Sequence, residues 1–473
     1  MSEGSPHGTG EINKPDQAQP AWLIDILGRP RPSAPLQPWS PPEDPDKPSL
    51  PYIPGLALDI DRHVPPPPFI ESLRKNLEPR PPVSEDYLRS IPQSKAVVDN
   101  PPIETNLPAR PETARLVVTS SICIGAVRGA QIVSCIVHLK SGSSPYEATA
   151  KIYDPLYYNF KPTHEPRDVV YDADQDYSNE AAAYNQLHET GQAGSSAPAY
   201  YGSWTFHLPI TVDSKSCSRP VRLILMEKLN GSTIRDTRIR NDPNIREGDS
   251  FHYPEEYRLE ILAHAMDAFV RQLQFGVNQF DFAGRNVVLV QDDQKTSQTS
   301  VTSGRLPLPR VVLIDYNNAI VNQASSYPSL PENPISIFWK VYLWADFAGW
   351  VPNEWEDGKS HKKWLIRRFN EDNQRQLYLP VDDERIMEEI HQLYTHHTVR
   401  FRRTELTNMA STTTTPAKKP AAPTAGGSST KPAVSAPGKP APKKVPAPAP
   451  AAATAAATTN SAGSKSSGGG GFV

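Results

Sequence analysis

The chain's 51 prolines are unevenly placed, and their placement decides where a core can form. Residues 1–110 hold 24 of them and residues 416–473 another 10. Proline fixes φ and removes a backbone donor, so runs such as "HVPPPPF" and "EPRPPV" favour extended polyproline II over helix or sheet. Segments of this composition bury too little apolar surface to offset chain entropy. The expectation is a disordered Pro-rich arm over 1–110 and a disordered Ala/Pro/Lys-rich tail over 411–473. Folding is then left to roughly 300 residues between them, one large domain or two close lobes. Within the arm only "AWLIDILG", Ala21–Gly28, is apolar enough to dock on the body or a partner. It is too short to be a stable helix alone.

Charge excludes some partners. The net charge is −3, while residues 411–473 carry seven Lys and no acid, so the remainder stands at −10. A mildly acidic body has no electrostatic footprint for nucleic acid. Cys123, Cys135 and Cys217 are too few and too widely spaced for a disulfide framework or a metal knuckle, which suits a reducing compartment. No apolar run approaches the ~18 residues of a membrane span, and the N-terminus lacks a secretory pattern. A cytoplasmic or nuclear protein without a membrane anchor is expected.

The regular pattern begins near Ala114. "ARLVVTSSICIG" and "AQIVSCIVHLK" are β-rich runs around a Gly-containing turn, and "YEATAKIYDP" is a third, stopped by Pro155. An irregular stretch follows. "SNEAAAYNQLHETG" then reads as a helix capped by Ser178 or Asn179 and closed by Gly191. It places Glu180, Tyr184 and Leu187 on one face. "RPVRLILMEKLNG" is another strand-like run. "PEEYRLEILAHAMDAFVRQLQFG" is the strongest helix, with Tyr257, Ile261, Ala265, Phe269 and Leu273 in one stripe. "NVVLV" and "RVVLIDY" are strand-like and separated by a polar insert, 291–309. Beyond Pro334 the pattern is helical, and five of the eight Trp fall between Trp339 and Trp364. Those Trp are expected to pack a helical core.

Between the strongest helix and the last pair of strands lies "QFDFAGRN", with Asp281 and Asn286 five positions apart. A turn would use the same residue types. Their position invites a second reading when taken with Lys151 on a strand, Glu180 on a helix and Asp315 after "VVLI". Phosphoryl transfer needs a cation on the phosphates, a carboxylate to fix that cation, oxygen ligands for Mg²⁺ and a base for the incoming hydroxyl.

In this order of elements the chain resembles the protein-kinase-like superfamily, which includes atypical protein kinases and the aminoglycoside and choline phosphotransferases. The resemblance covers roughly Ala114–Trp364. It implies an α+β, bilobal fold: a β-rich N-lobe over 111–230 and a mostly helical C-lobe over 231–410. It implies Asp281 as catalytic base, Asn286 and Asp315 as Mg²⁺ ligands, and Lys151 as the phosphate-binding cation. Glu180 is the implied partner of Lys151, with Glu165 as a spare. Gly125 and Gly129 resemble a thinned glycine loop whose central position is Val127. The backbone around Glu227–Leu229 would meet adenine. The chain departs from the pattern at Gln279 and Phe280, which replace His and Arg, and at Asn317, which replaces Gly. Loss of that Arg argues against activation by loop phosphorylation.

The implied function is ATP-dependent transfer of the γ-phosphate to a hydroxyl of a protein or small molecule, with ATP and Mg²⁺ bound. The alternative is a catalytically impaired pseudokinase that binds nucleotide or a partner. A third reading places function in the Pro-rich arms, as ligands for SH3- or WW-like partners.

Overall fold

The computed structural model describes residues 39–69, 79–106, 108, 111–126, 128–240, 248–291, 306–370 and 376–395. All of them lie in one unit, Met1–Val399. The Ala21–Gly28 motif, Val127, most of the polar insert and the tail over 411–473 fall outside the described residues.

A closed six-stranded barrel organises the first half. Its strands are β1 (Ala57–Arg62), β2 (Thr113–Cys123), β3 (Gln131–Leu139), β4 (Tyr146–Tyr153), β5 (Tyr200–Val212) and β6 (Lys215–Met226). The order is β1-β2-β3-β4-β6-β5, and β1 pairs with both β2 and β5 to close the ring. Closure removes the open edge that a free sheet would present. Inward positions alternate along β1, with Leu58 and Ile60 buried and Ala57 and Asp59 exposed. That is the period-2 pattern of a half-buried strand.

Strand β1 corrects the expected arm. Residues 39–69 and 79–106 are built into the fold. Helices α1 (Glu85–Ser90) and α2 (Gln93–Asp99) lie there, and Tyr52, Ile60, Phe69, Leu88 and Val97 join the buried set. The prolines bound these short elements and do not prevent them. The apolar residues between them supply the burial that an average over 110 residues concealed. Tyr52 shows the depth of the docking: its hydroxyl donates to Asp154 Oδ2 at 2.5 Å. Arg219 clamps the same carboxylate at 2.5 and 2.9 Å.

Helix α3 (Val169–Glu189) is longer than the sequence pattern suggested. It starts nine residues before Ser178, because Asp168 caps it by accepting the Tyr171 N–H at 3.0 Å. It is buried nearly all round, from Val169 to Leu187, so it has no polar face for a periodicity argument to detect.

The second half is mixed. A small sheet has the order β10-β9-β7, from β7 (Gly231–Thr233), β9 (Val287–Val290) and β10 (Arg310–Leu313). Helix α4 (Glu255–Gln274) runs between β7 and β9 and buries Ile261, Leu262, Ala265, Met266, Phe269 and Val270. Gly276 ends this helix at φ 82, where a Cβ would collide with the Asn322 carbonyl. A short ribbon, β8 (Val277–Asn278) with β11 (Ile320–Val321), follows the turn. Helices α5 (Pro334–Phe338), α6 (Leu343–Asp346), α7 (Ser360–Phe369) and α8 (Glu384–Thr395) complete the body. Trp339, Trp350, Trp355 and Trp364 are buried there, in a core continuous with that of the barrel. The architecture is therefore mixed α/β, with a β-rich barrel first and helices concentrated later.

Candidate functional site

Strand β4 brings Lys151 to the site, and its register sets the direction of the side chain. Lys151 stands opposite Ile132 on β3 and Ile224 on β6. Its ammonium lies 2.5 Å from Glu180 Oε2 and 2.6 Å from Asp315 Oδ1. Burial alone would lower the Lys151 pKa, but Asp315 and Glu180 together hold it above the ordinary value. Lys151 therefore stays charged, and it depresses the Asp315 pKa in return. Burial raises the Glu180 pKa, against the pull of Lys151. Glu180 also accepts the Tyr153 hydroxyl at 2.7 Å and the Tyr316 N–H at 3.3 Å. Glu180, not Glu165, is the partner.

The loop after α4 is tied to the end of β10. Val287 pairs with Leu313, the Ile314 N–H donates to the Asn286 carbonyl at 3.0 Å, and Gln279 Nε2 donates to the Ile314 carbonyl. These bonds set Asn286 beside Asp315. Asn286 Nδ2 donates to the Asp281 carboxylate at 2.9 Å and to its carbonyl at 3.0 Å, while Arg285 pairs with the other carboxylate oxygen. The Asp281 carboxylate is thus held on both oxygens.

Backbone strain marks the same place. Four non-glycine residues have positive φ among the described residues. Asp213 and Ser214 make the β5–β6 hairpin turn, where this conformation is ordinary. The other two are Phe280, at φ 58, and Asp315, at φ 68. Each costs about 1–3 kcal/mol and persists only where its surroundings over-determine it, most often at functional sites.

Other expected residues are placed as follows. Gly125 donates its N–H to Gln131 Oε1 at 2.7 Å, and Gln131 Nε2 donates back to the Gly125 and Gly129 carbonyls at 3.0 and 3.1 Å. The Gly125 N–H is therefore committed within the protein, unlike the free donor of a phosphate cradle. Glu227 follows β6, and its N–H is likewise committed, to the Ala199 carbonyl at 2.8 Å. Its side chain pairs with Arg310 at 2.5 Å.

The structure adds residues that the sequence did not single out. Asp176 lies one turn before Glu180 on α3. It accepts the Tyr158 hydroxyl at 3.1 Å and Asn317 Nδ2 at 3.4 Å, and burial pushes its pKa up to about 7 against the pull of Lys151. Its spacing of four from Glu180 was a readable signal. Gln131 and Arg285 had none beyond their neighbours.

A divalent cation would find oxygen donors here. Asp315 is held ionised beside Lys151, and Asn286, whose Nδ2 goes to Asp281, adds a carboxamide oxygen. A carboxylate and a carboxamide suit Mg²⁺. Among the described residues no group of three or more His, Cys, Asp or Glu could hold a metal, so phosphate and water oxygens would have to complete the shell. No helix among the described residues is long and apolar enough to cross a membrane.

No known family model matches the chain, and no curated protein matches it. Among solved structures it is similar to WaaP in complex with acyl carrier protein. The identity is 14% and the TM-score 0.25, over 57% of this chain and 89% of that one. A likeness at that level carries no argument.

Proposed function

We propose that the chain is an ATP-dependent phosphotransferase with a protein-kinase-like fold, which moves the γ-phosphate to a hydroxyl acceptor. One observation carries the reading. A buried Lys bridges a helix carboxylate and a strand-end carboxylate, beside an interlocked Asp–Asn loop, with both backbone-strained residues at that spot.

In this reading Lys151 grips the nucleotide phosphates, and Glu180 holds its ammonium in place. Asp315 and Asn286 are the residues that would hold Mg²⁺, which when bound supplies charge neutralisation at the phosphates. Asp281 accepts the proton of the attacking hydroxyl, its carboxylate oriented by Arg285 and Asn286. Breaking the Arg285 pair would be part of the cycle, since that oxygen must face the acceptor or its partner must move. The acceptor's class, protein or small molecule, is set by parts of the surface that fold alone does not determine.

The second reading is a pseudokinase. The commitment of the Gly125 N–H to Gln131 favours it, because fewer backbone donors remain for phosphate. A thermal-shift titration with ATP, with and without Mg²⁺, tests the nucleotide site. The wild type should be stabilised by ATP with Mg²⁺ and much less without it, and Asp315→Asn should lose that dependence. Stabilisation that ignores both the metal and Asp315→Asn would favour a nucleotide-binding pseudokinase, and no stabilisation under any condition would sink the phosphotransferase and leave only a partner-binding pseudokinase.

A further inference from the structure

The Lys151–Glu180 pair is closed from the outside by a second set of bonds. Asp174, six residues before Glu180 on α3, is buried. Its carboxylate accepts the Ile103 N–H at 3.0 Å and Arg80 Nη1 at 3.2 Å. The carbonyl of the same Ile103 accepts from Arg222 Nη2 at 3.0 Å, and Arg222 also pairs with Glu104 at 2.8 Å. Arg222 lies on β6 opposite Tyr153 of β4, the strand that carries Lys151.

The result is a closed circuit. Inside, Lys151 on β4 meets Glu180 on α3. Outside, Asp174 on α3 meets the Ile103 peptide, which meets Arg222 on β6, which pairs with β4. Two aromatic contacts brace the same stretch of helix: Phe69 lies edge-on to Tyr171 at 5.1 Å, and His63 Nδ1 meets the Tyr177 hydroxyl at 2.7 Å. A helix is stiff over two turns, and a slip of one residue turns a side chain by about 100° and shifts it about 1.5 Å. Whatever fixes Asp174 therefore fixes Glu180.

We propose that Asp174 is a positioning residue for the Lys151–Glu180 pair, acting through the Ile103 peptide and Arg222. The segment around Ile103 is then an internal clamp that sets the depth and rotation of α3. The consequence for phosphate binding rests on the function proposed above; the effect on Lys151 does not.

The experiment measures the acylation rate of Lys151 by acetic anhydride, read by mass spectrometry against exposed Lys140, in the whole chain. Wild-type Lys151 should react slowly. Asp174→Ala and Glu180→Ala should each raise its rate about tenfold, the effect of losing one hydrogen bond to a charged group. Asp174→Asn keeps an acceptor for the Ile103 N–H and should restore the slow rate. The double variant Asp174→Ala/Glu180→Ala should match Glu180→Ala, because both act on one pair. Ile103→Pro, which deletes the N–H and keeps the carbonyl, should follow Asp174→Ala, and it decides the matter should Asp174→Ala fail to fold. A wild-type rate in Asp174→Ala and Ile103→Pro, or multiplied rates in the double variant, would overturn the proposal. ATP titration of the same variants separates the two ideas: a wild type that ignores ATP removes the phosphotransferase reading and leaves the labelling result standing.

Discussion

Replacing Lys151 by Met keeps the length of the side chain and removes its charge, and the structure indicates how much that should cost. The ammonium sits 2.5–2.6 Å from two carboxylates, with Glu180 almost fully buried. Removing one partner of a buried pair typically costs about 3–5 kcal/mol, because an uncompensated charge remains. Here two carboxylates would be left facing each other, so one must take up a proton. Glu180 is the candidate, since burial already raises its pKa while Asp315 loses only the cation that depressed its own. A carboxyl with a raised folded pKa binds more protons folded than unfolded, so stability falls as pH rises through that window. Urea denaturation should show Lys151→Met about 3–5 kcal/mol less stable than wild type at pH 8. Part of that deficit should return on acidification toward the ordinary carboxylate range, by at most about 1.4 kcal/mol per pH unit. Adding Glu180→Gln should flatten this dependence. A deficit below about 1 kcal/mol at pH 8, or one that does not change with pH, would refute the claim that this ammonium neutralises both carboxylates.

Three further outcomes are expected. His63 is held neutral, its pKa lowered to about 3 by burial and by Arg222; the unfolded chain takes up a proton below about pH 6.5 and the folded one does not. His63→Gln should therefore lose less stability than wild type between pH 6.5 and 4, and parallel pH profiles in urea melts would contradict it. Asp154→Ala leaves Arg219 buried without its partner and Tyr52 without its acceptor, and should cost about 3–5 kcal/mol; a loss under 1 kcal/mol by calorimetry would show that the docked N-terminal segment is not held there. Phe280→Gly removes the side chain from a positive-φ position, so stability should hold or rise by up to about 1 kcal/mol, and a loss above 2 kcal/mol would mean that packing, not strain, dominates at that residue.

The parts of the fold that local pattern controls were legible in the sequence. β-rich composition bounded by turn residues revealed β2, β3 and β4, the 3.6-residue stripe revealed α4, and "NVVLV" with "RVVLIDY" revealed the β9–β10 pair. Lys151, Glu180, Asp281, Asn286 and Asp315 were singled out through the resemblance, each at the end or on a face of such an element, and the structure brings Lys151 to Glu180 and Asp315, and Asp281 to Asn286. What was missed depends on distant partners. Strand β1 pairs with the distant β2 and β5, and the prolines flanking it masked a short alternating run. The first turns of α3, "VVYDADQD", read as irregular because their Asp residues look like solvent-facing groups. In the fold Asp174 is buried against Ile103 and Arg80, and Asp176 is bonded to Tyr158 and Asn317. Strand β5 was passed over although its aromatic and β-branched residues suit a strand. Gln131 could not be identified as the holder of Gly125, since a Gln after a turn has no distinguishing pattern.

The central claim is that Asp281 accepts a proton during phosphoryl transfer from ATP, and turnover tests it most directly. Phosphate release and transfer from γ-labelled ATP should be measured with Mg²⁺ for wild type and Asp281→Asn, alongside ATP affinity for both. The substitution should cut turnover ~10²–10⁴-fold while ATP affinity changes little, because a base acts on the transition state and not on the bound nucleotide. Equal turnover in the two proteins, or a wild type that binds ATP with Mg²⁺ yet transfers phosphate to no acceptor and not to water, would contradict the claim and leave a pseudokinase in its place.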